Sequence, residues 1–497
     1  MDRISGAVRW FLCAAAILHV RAQTAVPESP PVIRAETRVV QVEVIATDSH
    51  GKPISGLTKG DFSIRDNGKP RAIDIFSVDS GADSVSASPR PKLSDGVFTN
   101  RGQAPPQDPR APTVILLDAS KGANLPFQWA RQAVMGVLNK LPSDESVAVY
   151  VVADKQGLVL LQDYTTDHAM ILRRMKGYSA PPPPPQPARN TRPLTPEEVR
   201  YIALSDSENI RLSLQGLADH LALGPGRKNI FLLTQGFSPD LMRDSGKFAW
   251  DKTFVALNEA NVAVNTVDPR GVHPDTQGIF AQEQIAEATG GRAYFGRNDA
   301  DEMLAEGIAA SHVEYILGFY LPESDQDGKF HSVQISTSRP GLQLSWRKGY
   351  YAGEAELPPS EFEKSGKGDL EAALLNRVAA RGVGITARIR TTWSLPRGKL
   401  DIALNLDLAT LTLKPGKSGE SGEVEELFVQ MNESGDTLAR VSDRKNFDIA
   451  AKEQARVLPE GASWSVSMPL MPAAARVAIV VRDSASGRVG SLTIPLK

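Results

Sequence analysis

The chain has 497 residues, 41% of them hydrophobic and 23% charged, a globular composition that needs more than one core. Its formal net charge of −2 gives no global attraction for nucleic acid, and no basic tract alters that. Cys13 is the single cysteine, which excludes an internal disulfide framework.

Residues 1–22 have the layout of a secretory signal peptide. Arg3 and Arg9 give a positive start, "WFLCAAAILHV" is the apolar run, and "VRA" precedes Gln23, which predicts cleavage after Ala22. That run is too short to cross a bilayer comfortably, and nothing later approaches the ~18 apolar residues a span requires. The expectation is an exported chain, secreted or periplasmic, with no membrane span in its mature form. Removing the leader also removes Cys13, so the mature chain has no thiolate nucleophile and no cysteine-ligated metal.

Residues 33–80 read as a small β module. Val40, Val42 and Val44 alternate with Gln41 and Glu43, and Asn67-Gly68 separates two further alternating runs. Both residues of a tight hairpin turn need positive φ, which Asn-Gly supplies. Residues 81–110 are rich in Ser, Asp and Pro and read as a linker.

From 111 to 318 the pattern changes to a β–α alternation. "TVILLD" is continuously apolar, as in a central parallel strand covered on both faces. Phe127, Ala130, Val134, Val137, Leu138 and Leu141 then fall on one helical stripe. "SVAVYVVAD", "GLVLLQ", "KNIFLLT" and "VAVNTVD" read as further strands. "NIRLSLQGLADHLAL" and "FAWDKTFVALNEA" read as helices, the first opened by a capping box of Ser205 and Glu208. The sum predicts a doubly wound parallel sheet. Residues 177–194, with five consecutive prolines, interrupt it as a polyproline-type surface insertion.

Strand-like runs return after 313, and residues 319–352 form a strand-rich extension. A second linker at 353–382 leads to a C-terminal β-rich domain, 383–497. There Leu400, Ile402, Leu404, Leu406 and Leu408 alternate strictly, as do Val477, Ile479 and Val481 before a turn at Ser486-Gly487. Short alternating strands of this kind suggest a β-sandwich.

The central region resembles a von Willebrand factor A domain. The flanking phrases "VVQVEVIATDSHGKPISGLTKGDFSIRDNGKPRAIDIFS" and "YILGFYLPESDQDGKFHSVQISTSRPGLQLSWRKGYY" are similar to those of secreted VWFA-related proteins of the acidobacterial type. The resemblance covers residues 36–352. It implies a Rossmann-like sheet whose carboxyl edge carries a metal-ion-dependent adhesion site. Such a site uses D-x-S-x-S on one loop, a threonine on a second and an aspartate on a third. It holds Mg²⁺ or Mn²⁺ through hard oxygen donors.

Asp118 and Ser120 match the first two positions, but Gly122 stands third and offers no oxygen. Thr165 or Thr166 is the candidate threonine. Gln235 replaces the expected aspartate, with Ser238 and Asp240 farther along the same loop. The resemblance therefore implies an incomplete site with Asp118, Ser120 and Thr166 as metal ligands and Mg²⁺ as the candidate ion. In the alternative, the Asp118 carboxylate caps the turn that follows it. Asp118, Ser120, Gln235 and Asp240 are the candidate partner contacts.

Other chemistry lacks its motifs. "GPGRKN" precedes a strand and so cannot be a phosphate cradle, and the seven histidines form no H-E-x-x-H. "QGFSPD" has Asp240 where a nucleophile elbow needs glycine. Asp325, Asp327 and Gly328 lack the remaining ligands of a calcium loop and read as a hairpin turn. The expectation is a non-enzymatic recognition protein whose partner is another protein or the envelope surface. An envelope scaffold, or a hydrolase assembled from distant residues, are the alternatives.

Overall fold

The computed structural model describes residues 38–79, 96–101, 113–153, 157–180, 196–222, 226–236, 247–273, 276–352, 368–376, 378–394, 397–416 and 419–496. Arg38–Lys497 is one compact unit. The leader-like residues 1–22, Asp240 and nearly all of the proline-rich stretch 177–194 lie outside the described residues.

At the centre is a six-stranded sheet. Its strands are β1 (Thr113–Ala119), β2 (Val147–Ala153), β3 (Gly157–Thr165), β4 (Lys228–Leu233), β5 (Val262–Val267) and β6 (Ala293–Tyr294). Read from the free edge of β3, the spatial order is 3-2-1-4-5-6, the order of a dinucleotide-fold sheet. Neighbours from β2 through β6 run parallel. β3 runs antiparallel to β2, which corrects the expectation of a wholly parallel sheet. The physical reason lies in the connection: only 154–156 separate the two strands, far fewer residues than a parallel crossover requires.

Side chains of β1 alternate between two cores, Val114 and Leu116 in one and Ile115, Leu117 and Ala119 in the other. Both faces are therefore covered, and each fully buried aliphatic contributes about 1.5–3 kcal/mol. α1 (Leu125–Leu138), α2 (His168–Gly177) and α6 (Ala300–Ala310) pack on one face. α3 (Pro196–Leu221), α4 (Lys247–Glu259) and α5 (Thr276–Thr289) supply the other core. α1 begins where Asn124 Oδ1 accepts from Phe127 N at 2.9 Å, an N-cap that fixes the helix entry. α3 starts nine residues before Ser205, so Ser205 is internal to the helix and the expected capping box is not its start. A proline in the first turn serves that end instead, since its missing N–H is not needed there.

The N-terminal strands and those after 313 form one body rather than two pieces. Arg38–Thr47 pairs with Glu314–Leu321 and Gln343–Trp346, and Phe62–Asp66 pairs with Phe330–Thr337. Two four-stranded antiparallel sheets result, closed over Val42, Val44, Ile64, Tyr315 and Leu317. The boundary expected at 318 thus falls inside a strand, Glu314–Leu321. Asn67 and Gly68 have φ of 47° and 78°, as the hairpin between Phe62–Asp66 and Lys69–Arg71 demands.

The C-terminal region is two further antiparallel sheets around Leu400, Ile402, Leu404, Leu406, Val477, Ile479 and Val481. Its first sheet also takes Val97–Thr99, from the stretch expected to be linker, as an edge strand on Gly384–Ser394. Asn100 fixes that strand: its Nδ2 donates to the Ala380 and Val383 carbonyls, both at 2.7 Å, and its Oδ1 accepts from Ile385 N. The second expected linker contains a helix over 368–375.

Candidate functional site

Four apolar residues of β1, Val114 to Leu117, are buried before Asp118 emerges at the carboxyl edge of the sheet. The chain turns immediately, because Asp118 Oδ1 accepts from Ser120 N at 3.0 Å and from Ser120 Oγ at 2.6 Å. Gly122 then adopts φ of 71°, a region where a side chain is strained. That conformation gives a reason for glycine where the adhesion motif has its second serine.

The other Asp118 oxygen is also engaged. Thr234, the residue after β4, donates its Oγ1 proton to Asp118 Oδ2 at 2.7 Å. The same Thr234 oxygen accepts from Gly236 N at 3.0 Å, shaping the loop that carries Gln235. β1 and β4 are neighbours, so the pairing of Asp118 with Thr234 follows from sheet order. Sequence reading overlooked Thr234. Its signal was a hydroxyl at the carboxyl end of a buried strand, one residue before the expected aspartate.

A second carboxylate lies one strand farther along. Asp268 follows β5 and is fully buried. Arg270 grips it through Nε at 2.9 Å and Nη2 at 2.7 Å, and His273 Nε2 lies 3.0 Å from Oδ2. Burial pushes the Asp268 carboxyl up, but the Arg270 guanidinium, the Arg270 N–H and His273 outweigh it and hold it below its ordinary value. Gln282 from α5 joins the two halves by donating Nε2 to Thr234 O and to Asp268 Oδ2, each at 3.3 Å. A hydrogen-bonded chain of Ser120, Asp118, Thr234, Gln282 and Asp268 thus runs along the edge.

Thr166 is not part of it. Thr165, the last residue of β3, pairs with Val147 at the start of β2, whereas Asp118 pairs with Val152. Five residues of strand, about 16 Å, separate those levels, so Thr166 stands at the amino edge of the sheet. The reversed direction of β3 is the cause. Gln235 is on the Asp118 edge and half-buried, and Asp240 lies outside the described residues.

This donor set does not fit a divalent cation. Mg²⁺ prefers several oxygens including carboxylates in near-octahedral geometry, while both Asp118 oxygens already accept protein donors. Among the described residues, no group of three or more His, Cys, Asp or Glu is placed to hold a metal. Nor is there a hydrolytic pair here, since Ser120 Oγ donates to a carboxylate and not to an imidazole.

Apolar side chains stand exposed around this polar strip. Leu125 at the first turn of α1 is 66% exposed, and Val272 in the loop after β5 is 72% exposed. Trp129 and Phe295 are also exposed, on α1 and just after β6. Among the described residues, no helix is long and apolar enough to cross a membrane.

No protein-family model matches the chain. No curated protein matches it either. Solved structures with local likeness include an aerotolerance-related membrane protein from Bacteroides fragilis, at 15% identity and a TM-score of 0.26, covering 40% of this chain and 98% of that one. A BatB protein from Bacteroides thetaiotaomicron gives 14% identity and a TM-score of 0.25, covering 40% of this chain and 98% of that one. Proximal thread matrix protein 1 of the mussel byssus, described with a zinc-occupied MIDAS motif, gives 16% identity and a TM-score of 0.26 over 41% of this chain and 46% of that one. Likeness this slight transfers neither fold nor function.

Proposed function

We propose that the chain is an exported, non-enzymatic recognition protein built on a von Willebrand A-like sheet, and that the carboxyl edge of that sheet docks a protein of the cell envelope. The observation that carries the reading is the Asp118 corner. A residue placed where this fold class puts its ligands is held by Ser120 and Thr234 in a rigid, uncatalytic arrangement. Asp118, Ser120 and Gln235 lie at the centre of the surface, with Asp240 assigned to the same loop. Leu125, Trp129 and Val272 supply exposed apolar area beside them, the mix of buried polar order and apolar surface that protein interfaces use. Recognition at this edge proceeds without Mg²⁺. Export rests on the leader-like residues 1–22.

Sedimentation of the purified protein with envelope fractions from its source cell tests this reading. Saturable binding that survives EDTA and is weakened by Val272→Asp and Trp129→Ala supports it. Binding that is abolished by EDTA, or unaffected by either substitution, contradicts it.

An envelope scaffold is the second reading, favoured by the way buried charge ties the parts together. Arg227, beside β4, meets Glu314 of the N-terminal sheets at 3.1 Å with both side chains buried. Lys252 of α4 and Arg482 of the C-terminal sheets share Asp369. A scaffold predicts envelope association that edge substitutions leave unchanged.

A further inference from the structure

A cleft of about 720 Å³ opens between the α/β region and the C-terminal sheets, away from the Asp118 edge. Its walls are α3 and α4 on one side, and on the other the hairpin of Gly419–Met431 with Thr437–Ala450 and the turn before Arg488. Clefts of this volume at the junction of two structural units are where small ligands ordinarily bind.

The chemistry of the lining narrows the ligand. Three of its five cations are neutralised by carboxylates of the protein. Lys252 pairs with Asp369, Arg482 Nε lies 2.9 Å from Asp369 and its Nη1 3.1 Å from Glu425, and Arg444 Nη2 lies 2.6 Å from Glu425. A small inorganic anion therefore finds the Arg444 and Arg482 guanidiniums already occupied, and a metal finds Glu425 already bridged by them. In the rest of the lining, Lys414 and Arg488 beside Asp219, Glu259 and Asp448 mix both signs and favour no net charge. Hydrogen-bonding capacity nevertheless remains. Asp219 is only 8% exposed and lines the cleft, and among the described residues its carboxylate receives one long contact, 3.5 Å from Gln215 Nε2. Gln215 Oε1 has no hydrogen-bond partner among the described residues. Asn446 adds an exposed amide, and among the described residues the Arg488 side chain bonds the hydroxyls of Ser486 and Thr412.

An aromatic side chain completes the wall. The Phe447 ring lies half-buried in the lining, set over Gly422, where an added Cβ would meet its Cζ at 2.5 Å. A ligand suited to this lining offers many donors and acceptors, carries no net charge, and has a flat C–H face to lie against one aromatic ring. Those are the properties of a sugar ring.

We infer that the cleft between α3, α4 and the Gly419–Ala450 hairpin is a binding site for a neutral oligosaccharide. Asp219, Gln215, Asn446 and Arg488 bond its hydroxyls and Phe447 supports one ring face. Burial pushes the Asp219 carboxyl up to about 7, so it is partly protonated near neutrality and both donates and accepts.

The test is calorimetric titration of the full protein with maltotriose, cellotriose, mannotriose and triacetylchitotriose, with inorganic phosphate as the charged comparison. Ala256→Trp projects an indole into the cleft from α4, Asn446→Ala removes an exposed amide, and thermal melts confirm that each variant folds. The expected result is saturable binding of at least one trisaccharide, lowered at least about tenfold by Ala256→Trp and measurably by Asn446→Ala. No heat from all four sugars overturns the assignment. So does sugar binding indifferent to both variants, or phosphate binding that Ala256→Trp abolishes while the sugars stay silent.

Discussion

Gly236 lies so close to Gly278 that a Cβ on Gly236 would stand 2.4 Å from the Gly278 carbonyl oxygen. The loop after β4 is thereby pressed onto the first turn of α5, where no side chain fits between them. Gly236 also has φ of 74°, so any side chain is strained there as well as crowded. Gly236→Ala is expected to destabilise the protein by about 2 kcal/mol or more, read by urea denaturation. A loss under about half that would mean the loop shifts freely and does not hold Gln235 in place.

Thr234→Val keeps the shape of the side chain and deletes its hydroxyl. Asp118 Oδ2 then loses its donor at 2.7 Å and Gly236 N loses its acceptor at 3.0 Å. Leaving such groups unsatisfied costs about 1–3 kcal/mol. The expected outcome is a loss in that range, while Thr166→Val, at the other edge of the sheet, stays within about 0.5 kcal/mol. Equal losses from the two substitutions would contradict the placement of Thr166.

A third expectation concerns pH. Glu426 is fully buried, accepts from Trp464 Nε1 at 2.7 Å, and its Oε2 has no hydrogen-bond partner among the described residues. Burial pushes its carboxyl up from 4.5 to about 7, with the Trp464 bond opposing. Between those values the folded chain keeps a proton that the unfolded chain has lost. The stabilisation from this group is complete below about 4.5 and is lost as pH rises through about 7. Glu426→Gln should therefore be favoured relative to the wild type at pH 8 compared with pH 5, by roughly 2–3 kcal/mol. Parallel stability curves for the two proteins across that range would refute it.

Local pattern carried much of the fold. The unbroken apolar run of β1, the helical stripe beginning at Phe127 and the Asn67-Gly68 turn each encode their own structure within a few residues. Pairings that close over long chain distances were illegible for the same reason. Nothing local in Val40 says that it lies opposite Phe319, and three residues at Val97–Thr99 are too few to show a period. The site divided along the same line. Asp118 was readable because a charge ends an apolar strand. The "NTVD" run ends β5 with Asp268 in the same way, yet without the sheet order nothing linked the two. Thr166 was misplaced because strand direction, and so which edge a strand end reaches, depends on the 154–156 connection rather than on the strand itself.

The central claim is that protein hydrogen bonds, and not a cation, organise the Asp118 edge. Calorimetric titration of Mg²⁺ and of Mn²⁺ into the wild type and Asp118→Ala tests it most directly. The predicted result is no saturable heat from either ion in either protein. Micromolar-to-millimolar binding present in the wild type and lost in Asp118→Ala would contradict the claim.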